Sequence, residues 1–198
     1  NGGNTSSHSG VQFIDEISGI GAGPAGGAEE VLVSYNVKFE DNFPWQAGGK
    51  LPGVTAKETY TSGDAASSTR LMWREDGKLE FYIHTPDSRD RLLWNNGADQ
   101  LGHASLEAGQ WQEIEFRVKL NSFENGKPVA DGELEGWLNG KSAGIYTDVV
   151  LRDSPNDDIN TMFFSTFYGG SSGKGDIQWW PDRETTALFD DMSVQQLA

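Results

Sequence analysis

SSTRLMWREDGKLEFYIHTP, Ser67 to Pro86, reads as two strands of a hairpin, and this reading decides the fold class. Along the first strand Thr69, Leu71 and Trp73 alternate with Ser68, Arg70, Met72 and Arg74, and a period of two puts these sets on opposite faces of a sheet. The first set is expected to be buried, Trp73 with it, and the second to face water. Glu75 to Lys78 makes a short polar turn, after which Phe81 and Ile83 alternate with Glu80, Tyr82 and His84. Paired in register, the hairpin gathers Ser68, Arg70, Tyr82 and His84 on one face. A hydroxyl, a permanent cation, a phenol and an imidazole side by side form a candidate catalytic surface.

Outward from the hairpin the same period recurs. Val31, Val33, Tyr35, Val37 and Phe39 alternate with polar residues, as do Ile114, Phe116, Val118 and Leu120 against Glu113, Glu115, Arg117 and Lys119. Val11 to Ile17 reads as an edge strand. Gly132 to Asn139, Lys141 to Ala143 and Ile145 to Leu151 read as three more strands, the first two joined by a turn at Asn139-Gly140. Thr161 to Tyr168 and Thr186 to Val194 complete the set, with a short strand at Arg91 to Trp94. About nine or ten strands with frequent turns and no amphipathic helix predict an all-β chain. The expected architecture is a two-sheet antiparallel β-sandwich, a jelly roll, with a concave substrate face. Residues 1–10 are expected to be a disordered tail and 11–198 a single domain.

Between the second strand and the hairpin lies FPWQAGGKLPGVTAK, where Pro44, Gly48, Gly49, Pro52 and Gly53 punctuate the chain. Lys50 is therefore expected in a constrained, non-helical loop, held in a specific place as a functional loop residue must be. Thr55 to Ala66 reads as a flexible connection. The glycine-rich Gly19 to Gly27 resembles a phosphate loop only superficially, because a strand follows it and no Lys-Ser/Thr pair does.

The 198 residues carry 30 acidic against 15 basic side chains, a formal net charge of -15. That balance argues against nucleic acid or an anionic membrane as partner. It does not exclude a polyanionic substrate, because salt screens a bulk field over roughly 8–10 Å and a local cationic cluster dominates at contact. There are no cysteines, which excludes disulfides and thiolate metal sites. No apolar run is long enough to span a membrane, and NGGNTSSHSG lacks the regions of a signal peptide, as expected of a mature chain.

GGKLPG, STRLMWR, LEFYIHTP, the strand from Trp111 with the later WLNGK, VLRDS and FFSTFYGG together resemble the polysaccharide lyases of families 14 and 20. The resemblance spans roughly Val31 to Val194. It implies a jelly-roll enzyme that cuts a 4-linked polyuronate by β-elimination, secreted or periplasmic, acting as a monomer on an acidic polysaccharide without a required cofactor. In the alginate-cleaving pattern the functional set is a lysine in a GGKLPG-like loop, a Ser-x-Arg pair and a Tyr-x-Tyr pair. Matched by motif, these are Lys50, Ser68, Arg70, Tyr82 and His84. His84 stands where that pattern has its second tyrosine, which makes glucuronan the favoured polymer, ahead of alginate and ulvan.

The chemistry explains the residue types. The C5 proton of a uronate is barely acidic while its carboxylate is charged, so the site must neutralise that carboxylate. Arg70 can engage both oxygens, Lys50 adds a second charge or acts as base, and Ser68 can donate a hydrogen bond. Tyr82 is the candidate general base and acid, helped by the two cations, and His84 shares proton transfer or binds substrate. Arg74 and Tyr168 are further candidate substrate-binding residues.

Two other readings compete. A glycoside hydrolase needs two carboxylates about 5–10 Å apart. The pairs Glu113/Glu115 and Glu133/Glu135 share faces but read as solvated strand surface. A non-catalytic carbohydrate-binding module would keep the aromatics without needing Lys50, Arg70 and Tyr82 together. Asp190 and Asp191, near the last strand, are where a structural calcium ion is allowed for.

Overall fold

In β2 (Glu30–Phe39) the alternation leaves Val31, Val33, Tyr35, Val37 and Phe39 no more than 1% exposed, with half-buried residues between them. One face of this strand therefore builds the core and the other meets water. The computed structural model describes residues 10–17, 26–56, 68–85, 88–93, 104–169 and 179–197. The other strands are β1 (Gly10–Glu16), β3 (Gly49–Thr55), β4 (Ser68–Trp73), β5 (Leu79–Thr85), β6 (Ser88–Leu93), β7 (Trp111–Lys119), β8 (Phe123–Glu124), β9 (Lys127–Pro128), β10 (Gly132–Leu138), β11 (Lys141–Val149), β12 (Thr161–Tyr168) and β13 (Ala187–Gln196).

They form two antiparallel sheets, ordered β1-β12-β3-β4-β5-β6 and β11-β10-β7-β2-β13, with β8 and β9 as a small separate ribbon. The expected two-sheet sandwich is what forms. The sheets meet through apolar side chains of their facing sides. Phe81 of β5 lies 6.0 Å from Phe116 of β7, Phe39 of β2 lies 5.3 Å from Trp73 of β4, and Phe164 of β12 lies 5.1 Å from Phe189 of β13. Each fully buried one of these, Phe39, Trp73, Phe81 and Phe116, contributes on the order of 1.5–3 kcal/mol.

Beside small shifts of strand ends, such as Ser88–Leu93 for the expected Arg91 to Trp94, three differences from the sequence reading stand out. Gly10, assigned to the tail, already pairs in β1. Lys141 to Val149 is one strand, because Gly144 at φ +131° lets β11 continue past a register shift. The third concerns Lys50, which lies in β3 and not in a loop. The glycines there serve close packing: a Cβ on Gly49 would stand 2.1 Å from the Trp73 ring, and one on Gly53 would stand 2.0 Å from the Thr69 carbonyl. Register shifts between Lys50 and Gly53 accommodate Pro52, which has no amide to give the ladder. The Asn139-Gly140 turn forms as expected, both residues at positive φ. The tail before Gly10, most of the Gly19–Gly27 and Thr55–Ala66 connections and the GGSSGKG loop lie outside the described residues.

VLRDS acquires a structural meaning. Arg152, 2% exposed, donates to Asp158 at 2.6 Å and to the Asn121 carbonyl at 3.2 Å, and it pairs with Glu29. Asn121 in turn accepts from the backbone N–H groups of Leu151 and Arg152 at 2.8 Å each. This clasp ties the segment before β12 to the start of β2 and the end of β7. Arg152→Ala would take its cationic partner from the buried Asp158 carboxylate, so we expect a loss of about 3–5 kcal/mol in urea unfolding.

Candidate active site

The hairpin of β4 and β5 pairs in the register read from the sequence: Ser68 opposite His84, Arg70 opposite Tyr82, Met72 opposite Glu80. β3 extends these rows, with Lys50 beside Met72, Gly53 beside Arg70 and Thr55 beside Ser68. On the far side of β3, β12 adds Phe163 and Ser165. The outer face of the six-stranded sheet thus gathers Lys50, Ser68, Arg70, Tyr82 and His84 from three neighbouring strands.

The contacts are close. The Lys50 ammonium sits 2.8 Å from the centroid of the Tyr82 ring and 3.1 Å from Met72 Sδ. The Arg70 guanidinium lies 4.0 Å over the Phe163 ring and 5.0 Å from the Tyr82 ring, and donates to Ser165 Oγ at 3.4 Å. Ser165 passes the bond on to the Leu51 carbonyl. The Tyr82 hydroxyl and His84 Nε2 are 3.1 Å apart.

This face was expected to be wet, and it is not. Lys50, Arg70 and Tyr82 are 4%, 4% and 6% exposed, Ser68 is 2%, and His84 alone of the five is half-buried. The long cations lie down on aromatic rings instead of reaching into solvent, and each covers its neighbour. Ser68 Oγ, buried, has no hydrogen-bond partner among the described residues, so a donor is held in reserve beside Arg70.

Arg74 and Tyr168 are placed differently from the other candidates. Arg74, its side chain 19% exposed, is engaged by Glu80: its Nε donates to Glu80 Oε1 at 2.5 Å, and the two form an ion pair. A cation already committed to a buried carboxylate is poorly placed to bind substrate. Tyr168 faces inward. It stacks on Phe43 at 5.4 Å, meets Trp73 edge-on at 5.5 Å and donates to the Pro44 carbonyl at 2.9 Å. Burial pushes its phenol up to about 12. The even-numbered positions of β12 point into the core, and Tyr168 is one of them.

Glu80 is the residue that the sequence reading passed over. It shares the period-two set of Tyr82 and His84, is 2% exposed, and has Oε2 buried without a hydrogen-bond partner among the described residues. Its alternation with Phe81 was the available signal. Burial pushes its carboxyl above the usual range, while Arg74 and then Lys50 pull it back. Among the described residues of β3, β4, β5 and the turn after β4, this face carries three cations, Lys50, Arg70 and Arg74, against the Glu80 carboxylate, so its centre is locally cationic on an acidic protein, with Glu16 at the β1 edge of the same face.

The carboxylate pairs weighed for hydrolysis sit elsewhere. Glu133 and Glu135, with Glu30, surround Arg117 on the outer face of the five-stranded sheet, at 3.0, 3.8 and 2.5 Å. Hydrogen bonds from Lys119 and Arg117 hold the Glu133 carboxyl below the usual carboxylate range, the wrong direction for a general acid. At the calcium candidate, Asp191 accepts from the Asn36 amide at 3.0 Å, and no group of three or more His, Asp or Glu is placed to hold a metal among the described residues. No helix among the described residues is long and apolar enough to cross a membrane.

Comparison with known proteins adds the family. In structure, the chain is similar to the marine alginate lyase of Aplysia kurodai, with a TM-score of 0.72 and 22% identity over 98% of this chain and 78% of that one. The endo-β-1,4-glucuronan lyase of Trichoderma reesei gives 0.59 and 14%, covering 94% of this chain and 76% of that one. At such identities the likeness speaks for the fold. In sequence, it is 21% identical over 183 residues to the exolysin of Paramecium bursaria Chlorella virus 1, covering 76% of this chain but only 27% of that protein's length. The profile of polysaccharide lyase 14 matches residues 2–192, and the chain belongs to that family.

Proposed function

We propose that the chain cleaves a 4-linked polyuronate by β-elimination, with glucuronan the favoured polymer and alginate and ulvan next. The observation that carries this reading is Tyr82 itself, a phenol flanked by two cations and hydrogen-bonded to His84 at 3.1 Å, on a locally cationic face.

Arg70, with Ser68, takes the uronate carboxylate and draws off its charge, so that the electron pair left at C5 spreads into it. The Tyr82 oxygen, as phenolate, takes the C5 proton, Lys50 at the ring face compensating its charge before the transfer. The pair then forms the C4–C5 double bond, the C4–O4 bond breaks, and the same phenol returns the proton to O4. One group can do both because H5 and O4 of a β-linked glucuronate lie on the same side of the ring. His84 steadies the hydroxyl through its hydrogen bond. The difference at His84 from the alginate-cleaving pattern is the reason glucuronan comes first. A polymeric substrate of this kind is met outside the cytoplasm, which fits a secreted or periplasmic monomer.

The test is a panel of glucuronan, alginate and ulvan followed by ultraviolet absorbance. Elimination yields an unsaturated, absorbing end at each cut, with glucuronan expected to give the fastest rise. Reducing ends without absorbance would mean hydrolysis, and binding without either would mean a carbohydrate-binding module.

A further inference from the structure

Across the six-stranded sheet Lys50, Met72 and Glu80 are successive neighbours in one row, since Lys50 pairs with Met72 and Met72 with Glu80. Strands two apart are separated by about 10 Å, which a lysine and a glutamate span above the residue between them. Lys50 leans along this row, its ammonium touching Met72 Sδ, and its charge attracts that of Glu80. Arg74 engages only Oε1 of Glu80. The second oxygen is buried and accepts no hydrogen bond among the described residues. An ionised carboxylate left so is costly unless a nearby cation offsets it.

We propose that Glu80 is a positioning residue for the elimination described above: its carboxylate, pinned by Arg74, holds the Lys50 ammonium against the face of Tyr82. The kinetic consequence rests on that reaction; the placement of Lys50 does not. Glu80 in this role acts only while ionised. Among the described residues the charged and titratable groups near it are Arg74 beyond β4, Lys50 on β3 and Tyr146 on β11, with Tyr82 and then His84 further along its own strand. Burial raises its carboxyl and Arg74 lowers it, so activity falls on the acidic side as Glu80 protonates. Loss of Arg74 moves that fall to higher pH.

Two measurements test this. In the first, the wild type, Glu80→Gln and Arg74→Met are assayed across pH on the best substrate of the panel. Glu80→Gln is expected to lower kcat about 10–100-fold with KM within about threefold. Arg74→Met is expected to shift the acidic limb upward, which a purely structural role would not do. In the second, acylation of Lys50 by acetic anhydride is followed by mass spectrometry without substrate. Removing the anion that favours the ammonium should speed acylation about tenfold in Glu80→Gln, the equivalent of one pKa unit. Unchanged Lys50 acylation in that variant, or an acidic limb unmoved or lowered in Arg74→Met, overturns the proposal. Should the wild type turn over no polyuronate, the elimination reading falls while the acylation result still decides what Glu80 does to Lys50.

Discussion

Tyr82→Phe is expected to leave less than about one part in 10³ of the wild-type kcat, the scale of losing a general base and acid together. The substitution is unusually clean here. The ring stays, so Lys50 keeps the face it sits on at 2.8 Å and Arg70 keeps its neighbour at 5.0 Å. Only the oxygen goes, together with its contact to His84. One hydrogen bond is worth about 1 kcal/mol, so thermal unfolding should move by a few degrees at most. The measurement is the initial rate of unsaturated product beside a melting curve. Retention of most activity would transfer the proton chemistry to His84 or Lys50, and His84→Gln would then choose between them. If His84 only steadies the Tyr82 hydroxyl, His84→Gln should cost about tenfold or less, because an amide can still meet the phenol.

How much of this site was legible depends on what each residue's position required. The facing of Arg70 and Tyr82 followed from period-two alternation on both sides of a short turn, and the pairing bears it out. Trp73 went to the core for the same reason. Lys50 was singled out correctly as held in place, but the glycines around it were read as loop punctuation. They are instead positions where the Trp73 ring and the β4 backbone come too close for a Cβ, a demand set by strands distant in sequence. The inward placement of Tyr168 is not legible, because an aromatic run gives no sign of which parity faces inward. Its inward facing follows from the pairing of β12 with β3, where the register shifts. Arg74 and Glu80 both sit on the expected face, yet nothing in the sequence says that they pair across the hairpin. Nor did it say that the face would be buried, because alternation reports the side on which a residue lies and not what its neighbours cover.

Arg70→Ala is expected to lower kcat/KM by about 10⁴, since it removes the charge that makes the C5 proton removable and not merely a contact to substrate. Arg70 is 4% exposed and lies on Phe163, so this variant also loses packing, on the order of 1–2 kcal/mol. Stability must therefore be measured beside the rate, and Arg70→Lys separates the two effects. A lysine keeps the charge and most of the stem but not the planar fork that meets both carboxylate oxygens, and it has no guanidinium to lay on Phe163. We expect Arg70→Lys to melt near the wild type while recovering no more than about tenfold of the lost kcat/KM. Recovery to near wild-type rates would show that a point charge is enough. Lys50, already a point charge at the Tyr82 ring, would then be the better candidate for neutralising the carboxylate, with Arg70 left to pack between Phe163 and Tyr82.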